Sequence, residues 1–410
     1  MLNTLINKKI KVTPLNSLGF SSQISKVKKP PKIATALLLG FLSLGCGPDV
    51  ASPGRLVIVG GALKADNADV YNAVVEGRRG DGPICVVPTA SSDAEEAMEG
   101  AVERLAQYGG SGSAKGILIS TETPERAQDL LVAAELGTCS GFYFTGGSQS
   151  RILDVFLPAG DTTLAYEALM RRWREGAVVA GSSAGAAMMS QTMISGGSSR
   201  EAITDGVAKE TDADGVQLRD GMGFFAPAMI DQHFLARGRI GRLLVAVINQ
   251  DSPRIGFGID ENTALIVDND SASVVGASGV VVVDGRHIDT VGSHMATGLV
   301  MNLMGSGDVI DLESLQIRRP DTGTELSPDG RTLQAPADPF SRWAFLHLLV
   351  ELSTSQETEV TVESEGANLT LREDEGFTAM LTALTGGPDG TPLGFSAGPL
   401  TVDLLPPVSD

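Results

Sequence analysis

From Arg55 onward, short apolar runs alternate with amphipathic stretches along the chain. The runs at 56–60, 84–88, 116–120, 141–145 and 177–181 are rich in β-branched or aromatic residues and end at Gly, Pro or Ser. They show no polar alternation, which is the pattern of parallel strands buried on both faces. Helical patterns lie between them. Residues 93–109 carry Met98, Val102 and Leu105 at spacings of four and three, with Ser92 or Asp93 placed to cap. Thr123-Pro124-Glu125 opens another helix with Pro at its first position, and 160–176 gives a third. This rhythm predicts a doubly wound, mostly parallel α/β sheet with right-handed crossovers.

Beyond Ser183 the order changes. A helix is predicted over 233–250, followed by strands at 254–260, 263–268, 273–276 and 279–283. Short links such as Asp284-Gly285 predict antiparallel hairpins that extend the sheet edge. From about 306 Pro and Gly become frequent. An amphipathic helix at 339–353, with Trp343, Leu346 and Val350 on one face, precedes alternating strands at 358–363 and 368–372. The division expected is therefore 54–305 as the main domain and 306–410 as a small α+β appendage, with the boundary between 306 and 335.

The first 45 residues follow neither pattern. They hold seven lysines, no arginine and no acid. Residues 33–44 are a continuous apolar run, too short at 12 residues to span a bilayer as a helix. A basic segment, a short apolar core and the small Gly45 before Cys46 describe an export signal. Cys46 also stands where a bacterial lipobox places its lipidated cysteine, although Ser43 departs from the apolar residue usual there. The expectation is a signal over 1–45 and an exported, lipid-anchored mature chain in the cell envelope or outside the cell.

Composition sharpens this division. The chain has 410 residues, 42% of them hydrophobic, and a formal net charge of -19. Wholesale disorder is excluded. Removing the seven N-terminal lysines moves the charge from -19 to -26. A protein this acidic is unsuited to a phosphate backbone, so no nucleic-acid partner is expected. Membrane contact is expected only through a lipid anchor. Besides Cys46 there are only Cys85 and Cys139, which form no metal-like spacing. Cys85 lies in an apolar run and reads as a buried thiol, with a Cys85–Cys139 bridge open to an exported protein.

The segment with most chemical content is Gly181-Ser182-Ser183-Ala184-Gly185, at the end of a buried strand and before a run of small apolar residues. It fits the G-x-S-x-G elbow, a tight strand-to-helix turn that exposes a serine nucleophile. The amide of Ala184 then lies where an oxyanion can be stabilised. A serine nucleophile needs a base, and the chain has four histidines. His347 lies in an amphipathic helix, His287 follows a turn, and His294 sits in a Gly-Ser loop. His233 lies in Ile230-Asp231-Gln232-His233-Phe234, where a polar triplet interrupts an apolar stretch, and is the candidate base. Two carboxylates compete to orient it. Glu261 would end a strand and project from the sheet's carboxyl end, while Glu201 would reach back from a Gly/Ser loop; Asp260 is weaker. Gly146 and Gly147 close another buried strand and could offer a second oxyanion donor. Arg237, Arg239 and Arg242 would share the helix after His233, the last two on one face, and suit substrate carboxylates.

Taken together, these motifs resemble the cyanophycinase and dipeptidase E family of serine peptidases over about residues 54–292. The stretches carrying the likeness include Gly60-Gly61, Thr145-Gly146-Gly147-Ser148-Gln149, the Ser183 elbow, Asp231-Gln232-His233-Phe234 and 256–264. The resemblance implies a flavodoxin-like α/β sheet related to class I glutamine amidotransferases. It places the nucleophile on Ser183 and the histidine on His233, with the acid at Glu201 or Glu261. It places pocket residues on Gln149, Asp231, Gln232, Arg237, Arg239 and Arg242. The implied reaction is hydrolysis of cyanophycin, a poly-aspartate with arginine on each β-carboxyl, to β-aspartyl-arginine dipeptides. Neither metal nor cofactor is called for, and the family precedent is a homodimer. Ser148 stands where the family carries Asp. Alternatives are another aspartyl or isoaspartyl peptide as substrate, or a lipid-anchored binding protein without turnover.

Overall fold

Neighbouring strands of the central sheet share one polarity because each returns through a helix. In the computed structural model, which describes residues 52–209, 213–249, 253–386 and 392–407, this unit takes the predicted form. The proposed signal and Cys46 lie outside the described residues. Leu56–Val59, Val178–Ser182, Gly141–Phe144, Ile84–Val87 and Ala114–Gly116 lie side by side in that order, all parallel. Four of the five are buried at every position, which accounts for their unbroken apolar sequence. The fifth ladder ends at Gly116, short of the run predicted to continue to 120.

The sheet separates two apolar clusters, each covered by helices, as a doubly wound fold requires. Their starts are set by short polar side chains. The Asp93 carboxylate accepts from the amide of Glu96, and the Thr163 hydroxyl accepts from that of Tyr166. The flavodoxin-like α/β class is therefore the one expected.

Register places the chemistry. Val59 pairs with Ser182 and Phe144 with Gly181, so the carboxyl ends of three adjacent strands finish together. Gly60-Gly61, Thr145-Gly146-Gly147 and Ser183 consequently emerge at one edge, where sites of open α/β sheets form.

The antiparallel strands do not all extend this sheet. Thr263–Asp268 pairs with Leu56–Val59 and Ser271–Gly276 follows it. Ile255–Ile259 and Val280–Asp284 instead join a second nine-stranded sheet that starts at Met229–Gln232. The chain thus passes between sheets at Asp260-Glu261-Asn262, where Asn262 holds a positive φ of 53°. Local periodicity identifies each strand but carries no information about which sheet it enters.

The C-terminal residues complete this second sheet. Ala296–Met304, Pro392–Leu405 and Ala367–Gly386 are consecutive neighbours, and Glu359–Ser364 forms the expected hairpin with the last of these. Ile240–Ile248, buried at every position, shares an apolar cluster with Leu346 and Leu349 of the helix Ala344–Thr354 and with Leu400 and Val402. Burying one such side chain contributes about 1.5–3 kcal/mol.

Two local expectations are corrected. The helix predicted from residue 233 begins only at Ile240, because His233 has a φ of 51° and the intervening residues turn. Arg237 and Arg239 therefore precede the helix, and Arg242 alone is within it. Cys85 is not a free thiol. Its strand neighbours Gly141–Phe144, which brings Cys139 to a Cα–Cα distance of 5.9 Å in a disulfide.

Candidate active site

Ser183 is held at a turn that only small neighbours permit. Its φ and ψ are 56° and -110°, between Val178–Ser182 and the short helix Ala184–Ala187. A Cβ on Gly181 would lie 2.2 Å from the Gly185 carbonyl oxygen, and one on Gly185 would lie 2.5 Å from that of Phe144. The two outer glycines of the motif are thus required by backbone approach. The Ser183 amide donates to the Val59 carbonyl at 2.9 Å, fixing the turn to the adjacent strand.

The second sheet brings the partner groups. Met229–Gln232 runs parallel to Ile255–Ile259, with Gln232 opposite Ile259, so His233 and Glu261 emerge close together. The His233 amide donates to the Gly60 carbonyl at 2.7 Å, tying this edge to the first sheet. Gly61 has a φ of 108°, and a Cβ there would lie 2.3 Å from His233 Cε1. The imidazole thus packs directly on glycine backbone.

Ser183 Oγ lies 2.8 Å from His233 Nε2, and His233 Nδ1 lies 2.7 Å from Glu261 Oε1. With Nδ1–H donating to the carboxylate, Nε2 is left to accept the serine proton. Burial lowers the pKa of His233 from its ordinary value; the Glu261 hydrogen bond opposes this and the Arg237 guanidinium reinforces it. The net effect favours neutral imidazole, the form that acts as a base.

Of the two candidate acids, Glu261 is the one brought to His233. Glu201 accepts from the Ser198 amide at 2.6 Å, while Ser198 Oγ accepts from the Glu201 amide. This is a capping box for the helix Ser199–Asp205, legible in the Ser198-x-x-Glu201 spacing. Asp260 is fully buried and points elsewhere, accepting from the Ala236 amide at 2.9 Å and Ser278 Oγ at 2.7 Å. Burial pushes its carboxyl up to about 6.

The other predicted residues divide into inner and outer groups. Asp231, 1% exposed, accepts from Arg242 Nε at 2.7 Å and from Arg242 Nη2. Arg242 Nη1 also donates to the Gly197 carbonyl at 2.6 Å. Arg239 donates to the Gln232 carbonyl at 2.5 Å and to Gln232 Oε1, and burial pulls its pKa down to about 10. Asp231 therefore holds the chain's own guanidinium. Gln149 Nε2 donates to the carbonyls of Ile194 and Ser195 at 3.0 and 3.3 Å. Arg237 is more open; its Nη2 lies 3.4 Å from His233 Nε2 and its Nε 3.7 Å from Glu261.

A cavity of about 420 Å³ opens beside Arg237 and is also lined by Arg239, Arg242, Ser199 and Arg200. Ser199 and Arg200 were not singled out from sequence, because nothing in their local pattern reports the approach of distant strands. Gly146 lies against the nucleophile: a Cβ there would sit 3.4 Å from Ser183 Cβ. Among the described residues, the amides of Gly146, Gly147 and Ala184 make no backbone hydrogen bond. No group of three or more His, Cys, Asp or Glu among the described residues is placed to hold a metal ion.

Comparisons with known proteins place the chain among peptidases. The model of peptidase family S51 matches residues 56–275. A cyanophycinase of Trichormus variabilis is 32% identical over 241 residues, covering 58% of this chain and 75% of the relative. A cyanophycinase of Synechococcus elongatus is 28% identical over 247 residues, covering 58% and 72%. The crystal structure of a peptidase from an acI-B1 actinobacterium aligns with a TM-score of 0.47 at 19% identity, covering 64% of this chain and 98% of that one.

Proposed function

Since the chain belongs to peptidase family S51 and is a serine-type peptidase, we propose that it hydrolyses cyanophycin to β-aspartyl-arginine dipeptides from an exported position. The observation that carries the reading is the Ser183–His233–Glu261 relay at 2.8 and 2.7 Å. In this mechanism Ser183 Oγ attacks the scissile carbonyl as His233 Nε2 takes its proton. Glu261 holds the imidazole and stabilises its charged form. The amide of Ala184, with that of Gly146 or Gly147, receives the developing oxyanion. His233 returns the proton to the departing amine, and water then releases the acyl group from Ser183 by the same route.

The substrate assignment draws on the cyanophycinases to which this chain is similar and on the cavity beside Arg237. Guanidinium groups bind carboxylates in a fork, and the substrate's backbone α-carboxylate is suited to Arg237. Ser148, where the family carries Asp, favours a second reading in which another β-aspartyl peptide is preferred. Incubation of the mature protein with purified cyanophycin decides between them: release of β-Asp-Arg supports the first. Cleavage of small β-aspartyl peptides without polymer degradation supports the second. Export is supported by the lysine-rich segment before the 33–44 apolar run. Metabolic labelling with a radioactive fatty acid should mark the chain and fail with Cys46→Ala.

A further inference from the structure

The cavity beside Arg237 has walls of two origins. Arg237, Arg239, Arg242 and Arg200 lie within the segment matched by the family model. Asp338, Phe340, Ser364 and Glu365 come from beyond it, in the C-terminal part of the chain. A second cavity, about 740 Å³, shares Arg200, Asp338, Ser364 and Glu365 and continues outward to Glu363 and Asn368. The shared residues are the waist between the two. Charge reverses across it. The inner cavity is lined by four guanidiniums and the two shared carboxylates, the outer by three carboxylates and the single guanidinium of Arg200, so the balance of charge changes sign.

The waist is a built feature. Asp338 Oδ1 accepts from the Phe340 amide at 3.0 Å and from Ser364 Oγ at 3.4 Å, which fixes the carboxylate. Its Oδ2 faces Arg200 at 3.7 Å, and Glu365 meets the same guanidinium. These two carboxylates therefore already receive a guanidinium between them. Arg200 is 60% exposed and Glu365 82%, so both side chains can move without opening the core. A guanidinium arriving on a substrate would replace Arg200 in an existing arrangement and leave no carboxylate bare.

The geometry points to a role for the C-terminal region in completing the substrate pocket: Asp338 and Glu365 select a substrate residue with a guanidinium side chain. Arg237, at the inner end beside His233, takes that substrate's carboxylate. The inference rests on the peptidase reading and adds to it a specificity determinant outside the family-matched segment.

The test compares a short β-aspartyl-arginine oligopeptide with the same peptide carrying citrulline, the neutral isostere of arginine. The quantity read is the ratio of kcat/KM for the two substrates within each protein, so a change in folded fraction cancels. Two exposed ion pairs, offset by the Arg200 pairs they replace, correspond to a preference of at most about tenfold for arginine. In Asp338→Asn/Glu365→Gln the ratio should fall to near one, and in Glu365→Arg it should invert. A ratio unchanged in both variants overturns the proposal. If the wild type cleaves neither peptide, the peptidase reading fails separately. The cavity is then judged by calorimetric binding of L-arginine, which Asp338→Asn/Glu365→Gln must weaken relative to wild type; equal affinity overturns it.

Discussion

Arg242→Met removes the guanidinium from a carboxylate that has almost no access to water. Asp231 is 1% exposed and receives two hydrogen bonds from Arg242, one of them at 2.7 Å from Nε. Breaking one side of a buried ion pair costs about 3–5 kcal/mol, because the remaining charge is uncompensated. Here Asp231 keeps the Gln232 amide at 2.9 Å and the Arg239 guanidinium at 3.6 Å. The loss should therefore lie near the lower end, about 3 kcal/mol. In a chain of this size that is a fall in Tm of roughly 4 °C. Asp231→Asn/Arg242→Met removes the stranded charge and should recover at least about half of the loss. Thermal melting of the three proteins at one pH and salt concentration measures this. The reasoning is refuted if Arg242→Met melts with the wild type, or if the double variant is no more stable than Arg242→Met alone. Either result would mean that water or a rearranged Arg239 already satisfies Asp231.

Other outcomes follow from the same geometry. Glu261→Gln keeps the shape but loses the charge that orients His233, so kcat should drop roughly 10⁴-fold with little change in KM; steady-state kinetics on a β-aspartyl peptide reads this. Gly61→Ala places a Cβ 2.3 Å from His233 Cε1 and should abolish turnover while the far-UV circular dichroism stays native. For Asp260, burial raises the folded-state pKa to about 6 from 3.8, so the folded protein holds this proton more tightly than the unfolded one. Its stabilising contribution is full below pH 4 and is lost as pH rises through 6. Asp260→Asn should therefore gain stability relative to wild type between pH 4 and 7, by at most about 3 kcal/mol, seen as a Tm difference that grows with pH; a constant difference contradicts this. The Cys85–Cys139 disulfide closes a separation of 54 residues. Replacing both cysteines with alanine should cost up to about 4 kcal/mol, read from the Tm.

The reach of the sequence had physical limits. The parallel strands were legible because burial on both faces leaves an unbroken apolar run, as in Val178–Ser182. The Ser183 elbow was legible because close backbone approach admits only glycine at 181 and 185. The choice between Glu201 and Glu261 was only half legible: the Ser198-x-x-Glu201 capping box can be read from the spacing, whereas the pairing that brings Glu261 to His233, 28 residues away, cannot. Sheet membership of Ile255–Ile259 and Val280–Asp284 escaped for the same reason: pairing is long-range, while the pattern is local. The helix expected from His233 failed at His233 itself and at the turn through Gly238, both at positive φ. The strained φ of His233 aims the imidazole and no propensity announces it. The C-terminal strands were seen singly, but their union with the second sheet depends on contacts such as Met301 with Leu400.

The account turns on Ser183 being a nucleophile activated by His233. Intact-mass analysis after treatment with a fluorophosphonate tests this most directly. One adduct per chain is predicted, mapping to Ser183 and appearing in step with loss of β-aspartyl peptide hydrolysis, with His233→Ala unlabelled. A wild type that hydrolyses the peptide while remaining unlabelled, or that carries the adduct on another residue, would contradict the account.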